Sequence, residues 1–219
     1  MRPPALLAGV LPPRVRLAGA LLAGALLAAC TPEPRPEGPR PYPGELVPPG
    51  ELPGAVLYRQ RVSARFQTRQ AAFEAVVQKK GPELLVIGLG PMGASRTFTI
   101  ALRGREVTAD YRSQEARALP PEHLLHDVER AFFRGLPGPL ADGEHRAQDR
   151  GEQLVESWSG GRLLWRRFTR PEDDPPGELL IRYEGGWTPG AAPPRVRLEN
   201  GWLGYALEIE TVEARPLPE

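Results

Sequence analysis

The chain has 219 residues, with 28 basic against 27 acidic side chains and a formal charge of +1. That is enough for one domain with a real core, and the balanced charge gives no field with which to attract nucleic acid. Cys30 is the only cysteine, which excludes an intramolecular disulfide and a thiolate metal cluster.

Arg2, Arg14 and Arg16 precede an apolar run from Leu17 to Ala29. The order, charged then apolar, is that of a secretory signal, and the run is shorter than the ~20 residues a spanning helix needs. It ends Leu27-Ala28-Ala29-Cys30, which resembles the lipobox of bacterial lipoproteins. The resemblance implies that residues 1–29 are a signal peptide and that Cys30 becomes the mature N-terminus, carrying a diacylglycerol thioether and an N-acyl chain. Several acyl chains together anchor stably where one would not. Thr31 comes next, and the absence of Asp there resembles the default sorting pattern to the outer membrane, so the expected location is its periplasmic face. The mature chain would hold 25 basic and 27 acidic residues.

Residues 31–53 contain nine prolines and no periodic apolar pattern. Such a composition predicts an extended lipidated tether over 30–54, with a reach of up to ~70 Å at ~3.1 Å per residue. The folded domain is expected over 55–219.

From Ala55 the apolar pattern alternates with period two. The runs 56–66, 71–79, 83–88, 97–102, 107–111, 152–159, 162–169, 178–184, 194–199 and 202–212 read as short strands. Lys80-Gly81-Pro82, Arg103-Gly104, Gly160-Gly161, Gly185-Gly186 and Asn200-Gly201 read as turns between them. Ten strands joined by tight turns imply a mainly β fold, an antiparallel meander that curls into a barrel or half-barrel. One segment breaks the rhythm: Pro120-Pro121-Glu122 followed by Leu124, Leu125, Val128, Ala131 and Phe132 predicts a helix ending near Gly135. Its expected place is over one opening of the barrel, as a lid.

Ile87-Gly88-Leu89-Gly90-Pro91-Met92-Gly93 satisfies G-x-G-x-x-G and looks like the nucleotide signature of the hydroxyisobutyrate dehydrogenase family. A dinucleotide site needs a helix N-terminus directly after the glycines, whereas these glycines lead into the alternating strand pattern of Thr97 to Leu102. The segment therefore reads as a glycine-rich turn, with two apolar residues, Leu89 and Met92, where a loop tip would carry polar ones. His123, His126 and Asp127 lie together on the proposed helix and read as solvated or capping residues rather than metal ligands. Phe98, Trp158, Trp165 and Trp202, with Trp187, are candidate core aromatics, and lining of an apolar cavity is the alternative. No G-x-S-x-G elbow and no recognisable carboxylate pair is present, so no catalytic set, metal or cofactor is expected.

The stretch Phe73 to Val77, then Leu84 through Gly93, Phe98-Thr99-Ile100, and Leu119-Pro120 to Val128 resembles an uncharacterised family of Gram-negative lipoproteins similar to the LolA/LolB lipoprotein carriers. The match spans roughly residues 56–136. The resemblance implies a half-barrel of about eleven strands with a helical lid over an apolar cavity that accepts acyl chains. By position it also implies that Leu89 and Met92, after the third strand, meet lipid. The function expected is an outer-membrane-anchored lipoprotein, not an enzyme, that binds acyl chains or a lipid-linked cargo for transfer or placement in the envelope. The alternative is a structural or assembly lipoprotein with a packed barrel that binds an envelope protein.

Overall fold

In the computed structural model, residues 42–218 are described apart from 91, 92, 94, 119 and 171–176. Cys30 and Met92 therefore lie outside the described residues, as do the proposed signal peptide and the first part of the tether.

Eleven strands form one antiparallel sheet: β1 (Val56–Phe66), β2 (Arg69–Lys80), β3 (Glu83–Leu89), β4 (Arg96–Arg103), β5 (Glu106–Tyr111), β6 (Gly143–Asp149), β7 (Glu152–Ser159), β8 (Arg162–Thr169), β9 (Glu178–Trp187), β10 (Arg195–Asn200) and β11 (Tyr205–Pro216). Their order is β5-β4-β3-β2-β1-β11-β10-β9-β8-β7-β6, so the first and last strands meet in the middle and β5 and β6 are the free edges. The sheet is an open half-barrel with a helical lid, as the alternation and the family resemblance together imply.

Burial alternates as the sequence does. Along β3, Leu84, Val86 and Gly88 face the interior while Leu85, Ile87 and Leu89 are half-exposed. Phe98 on β4 fills the space above Gly88, where a Cβ would overlap its ring. Gly88 is thus a packing glycine, opposite Phe98 in the ladder, and the nucleotide reading of its motif has no helix to rest on.

Three strands differ from the sequence reading. Strand β6 was not visible in the pattern because only Ala147 among its seven residues is aliphatic; it is an edge strand held by its ladder to β7. Gly185 and Gly186 do not end a strand. Both have positive φ, 75° and 77°, and they let β9 bulge and continue to Trp187, which pairs with Leu163. The last strand begins at Tyr205, since residues 201–204 form the turn.

The lid is α1 (Pro121–Val128) continued by a π-helical turn, Glu129–Phe133, closed by the Arg134 N–H donating to the Glu129 carbonyl at 2.7 Å. Leu125, Val128, Ala131, Phe132 and Phe133 are buried in the same core as the strands' inner side chains. The Tyr58 ring lies 5.6 Å from that of Phe132, and the Tyr183 hydroxyl donates to the Ala131 carbonyl at 2.8 Å.

Residues 40–219 form one compact unit. Within it, residues 42–54 are not a free tether. Tyr42, Val47 and Leu52 belong to the core, and Pro49–Glu51 makes a single 3-10 turn. A proline-rich segment builds neither helix nor ladder, but it can lie as a strap across a surface that offers partners for its few N–H groups and apolar pockets for its side chains.

Candidate functional site: an ionic network beneath the strap

The strap and the lid enclose a concentration of buried polar side chains that the sequence does not advertise. Arg130, Glu129, Glu152 and Glu156 are fully buried, and His126, Asp127, Arg134, Arg166 and Asn200 nearly so. The π turn matters to this arrangement. A widened turn is uncommon and gathers at functional positions, and here it leads Arg130 and Arg134 to a shared partner on β7, Glu152.

Arg130 donates to Glu152 Oε1 and to the Pro43 carbonyl of the strap, both at 2.5 Å. Arg134 donates to Glu152 Oε2 at 2.8 Å and twice to Asp149, at 2.6 and 2.9 Å. Arg166 pairs with Glu156 at 3.1 Å and also donates to the Arg130 and Arg134 carbonyls. Glu156 in turn accepts from Trp158 Nε1 at 3.0 Å. Three guanidiniums are thus set against carboxylates out of water, where an unpaired charge would be costly.

A second group ties the strap to the lid. The Tyr42 hydroxyl donates to Asp127 Oδ1 at 2.6 Å and accepts from Asn200 Nδ2 at 2.8 Å, and the Tyr205 hydroxyl donates to Asp127 Oδ2. The Tyr42 ring stacks on His126 at 4.9 Å between centroids and takes the Arg130 guanidinium 4.7 Å from its centre. The Val47 N–H donates to both oxygens of Glu129, at 3.1 and 3.2 Å.

Burial dominates the titration of these groups. It pushes the Asp127 carboxyl up to about 6, against the opposing hydrogen bonds from Tyr205 and Tyr42. It pushes Glu129 up to about 7, against the Val47 N–H and the nearby arginines. It lowers His126 to about 2, with Arg130 and Arg134 adding to the effect, so that imidazole is neutral at physiological pH. His126 and Asp127 are therefore core residues of the lid, not the solvated pair read from the sequence.

The signs of these shifts oppose one another. Both carboxyls hold their protons more tightly folded than unfolded, so each makes the fold less stable as pH rises from ~4 through its folded value. His126 binds a proton more readily unfolded, so it makes the fold less stable as pH falls below ~6.5. Replacing Glu129 with Gln removes the contribution that acts up to about 7 while keeping an acceptor for Val47. Glu129→Gln is expected to gain on the order of 1–3 kcal/mol at pH 8 and almost nothing at pH 4.5. Urea unfolding at the two pH values checks this; an equal effect at both would remove the titration argument.

The carboxylates of the network are paired and covered, while Arg130 Nε and Nη1, Arg134 Nη1, Arg166 Nε and His126 Nδ1 are buried without a hydrogen-bond partner among the described residues. Among the described residues, no three His, Asp or Glu side chains stand where they could hold a metal ion.

The residues singled out in the sequence fall in different places. Phe98 and Trp158 are core residues, and Trp158 lies so close to Gly138 that a Cβ there would be 2.5 Å from its ring. Trp202 is buried beside Tyr42, ring centroids 6.1 Å apart. Trp165 is not in the core. It is half-buried opposite the exposed Arg182, with Arg167 5.8 Å from its ring centre, because the bulged ladder between β8 and β9 turns it outward. Leu89 is the last residue of β3, on its outer side opposite Glu74. Of these, Trp158 and Trp202 border the ionic network, through Glu156 and Arg130, but as aromatics they do not announce it in the sequence. Its one sequence signal is a lid carrying Asp127, Glu129, Arg130 and Arg134 among its apolar residues, too many charges for a helix read as amphipathic.

A family model described as a protein of unknown function (DUF3261) matches residues 57–213, and so takes in the later strands as well as the first half. Among solved structures, the chain is similar to a LolA superfamily protein of Nitrosomonas europaea, 13% identical, over 75% of this chain and 88% of that one with a TM-score of 0.44. It is also similar to a DUF1329 family protein of Desulfovibrio piger, 11% identical, over 74% of this chain and 85% of that one with a TM-score of 0.37. No curated protein matches.

Proposed function

Because the chain belongs to DUF3261, a family of proteins of unknown function, we propose a function from its own geometry: it is a lipid-handling lipoprotein whose half-barrel takes up acyl chains in the space its lid now fills. The observation that carries this reading is that the apolar inner face is covered by a short helix and a strap rather than by a second sheet. Leu125, Val128, Ala131, Phe132 and Phe133 contribute roughly 10 kcal/mol of apolar burial at ~1.5–3 kcal/mol for each large side chain. A 16-carbon acyl chain offers about as much at ~0.8 kcal/mol per CH₂. Cargo would thus match the lid in apolar burial, while the links from Arg130 to Glu152 and from Asp127 to Tyr42 are what lid opening must break.

In this reading Cys30 carries the lipid that holds the protein on the periplasmic face of the outer membrane, and the tether ends near residue 41, where the strap begins. Leu89, the last residue of β3, and Met92, three residues later in the sequence, are candidate lipid-contacting residues. Acyl chains or lipoproteins are the cargo.

A lipid-free chain from Arg40 to Glu219 tests the reading by displacement of a fluorescent fatty acid and by mass spectrometry of co-purified lipid. Saturable uptake is expected, tighter in Tyr42→Phe, which loses the hydroxyl linking strap to lid. A domain that takes up no probe even in that variant would sink the acyl-chain reading. The second reading would then stand: a packed module that meets an envelope protein, which the filled inner face favours.

A further inference from the structure

The β1–β2 hairpin is longer than β3 on one side, while on the other β11 pairs with β1 as far as Phe66. The ladder between β2 and β3 begins only at Glu74, opposite Leu89, so the five residues Arg69–Phe73 run on past the end of β3. At ~3.4 Å per residue the hairpin stands about 17 Å beyond that strand. It ends in a two-residue turn, Gln67-Thr68, between the paired residues Phe66 and Arg69. Every residue from Arg65 to Ala72 is exposed, on both faces of the hairpin, and Phe66 at the tip is 45% exposed.

The tip is also segregated in charge. From Ser63 to Phe73 there are two arginines, Arg65 and Arg69, and no acid, in a chain that holds 27 acidic residues. Neither arginine has a carboxylate partner among the described residues. Glu199, which lines the shallow cleft beside Arg65, is engaged by Arg182 and Arg197. The strand that flanks the tip, β11, meets it with Tyr205, Ala206 and Leu207, and its first acid, Glu208, lies opposite Ser63.

We infer that the β1–β2 hairpin tip is a docking surface for an anionic phospholipid bilayer, with Phe66 entering the interface and Arg65 and Arg69 meeting the headgroups. An aromatic at an exposed tip with unpaired cations on either side has the make-up of an interfacial anchor: the ring gains from leaving water and the guanidiniums stay at the level of the lipid phosphates. A single-stranded protein edge would pair with Arg69–Phe73 through its backbone and would have no use for the two cations or for Phe66, so charge and apolarity together favour a bilayer over a peptide. Phe66 and Leu89 end strands that run in the same direction, and Phe66 reaches the membrane first. The inference goes beyond the acyl-chain reading and stands without it.

The test is flotation of the lipid-free Arg40–Glu219 chain with vesicles of phosphatidylcholine alone or mixed with phosphatidylglycerol. Binding is expected to the mixed vesicles, to weaken with salt, and to fall about 30-fold in Arg65→Ser/Arg69→Ser. Phe66→Asp should abolish it, whereas Leu164→Asp, at an exposed leucine on β8, should not. Circular dichroism confirms that the variants remain folded. Equal binding to both vesicles, binding unchanged in the tip variants, or no binding at all would overturn the inference. Fatty-acid displacement on the same chains is read separately: uptake without vesicle binding removes the docking surface alone, and vesicle binding without uptake removes the carrier reading alone.

Discussion

Starting the chain at Ala55 instead of Arg40 is expected to lower its stability by about 3–6 kcal/mol, a large part of the 5–15 kcal/mol a domain holds. The apolar side chains of Tyr42, Val47 and Leu52 are each less than a tenth exposed, and losing them forfeits about 5 kcal/mol or more of burial. The groups they cover fare worse. Asp127 loses its Tyr42 donor, Glu129 its Val47 N–H, and Arg130 both the Pro43 carbonyl and the ring beneath its guanidinium. Against this stands the entropy recovered by not ordering the strap, which keeps the net loss below the sum of its contacts. Urea unfolding of the two chains makes the comparison, and coincident midpoints would show that the strap is a passenger.

Arg130→Leu is the second large effect. The side chain is fully buried, and its removal leaves Glu152 with Arg134 alone and takes away the cation shared by the Tyr42, Phe168 and Trp202 rings. Removing one partner of a buried pair costs about 3–5 kcal/mol. In a unit of this size that is a fall of roughly 10 °C in Tm. Arg130→Leu/Glu152→Leu should recover at least half of it, because the uncompensated charge goes too and Arg134 keeps Asp149. If the double variant shows the sum of the two single losses, Arg130 and Glu152 are not acting as a pair.

The different legibility of these parts has a physical basis. Strands such as β3 and β4 bury one face and declare it by alternation, so Leu84, Val86, Phe98 and Ile100 could be read directly. Strand β6 buries almost nothing and is held by backbone pairing, which leaves no apolar trace. The lid's apolar stripe was legible in Leu125, Val128, Ala131 and Phe132, but the burial of its other side was not, because what covers it lies more than eighty residues earlier. Nine prolines made residues 31–53 look like tether throughout, and nothing in that composition marks Tyr42, Val47 and Leu52 as core. The hairpin tip lay within reach: a window with two arginines, no acid and an apolar residue between them can be read once the strand pairing places it at a turn.

The seam between β1 and β11 has a consequence in time. It joins residues 56–66 to residues 205–216, and the Leu217 N–H donates to the Ala55 carbonyl at its far end, so the middle of the sheet is made from the two ends of the domain. Hairpins such as β2–β3 and β7–β8 close locally, but the two halves can be sewn together only after the final strand has been synthesised. So long a closure makes folding slow relative to local pairing. The emerging polypeptide stays in separate halves until β11 arrives, and it is the arrival of that strand that turns them into one body.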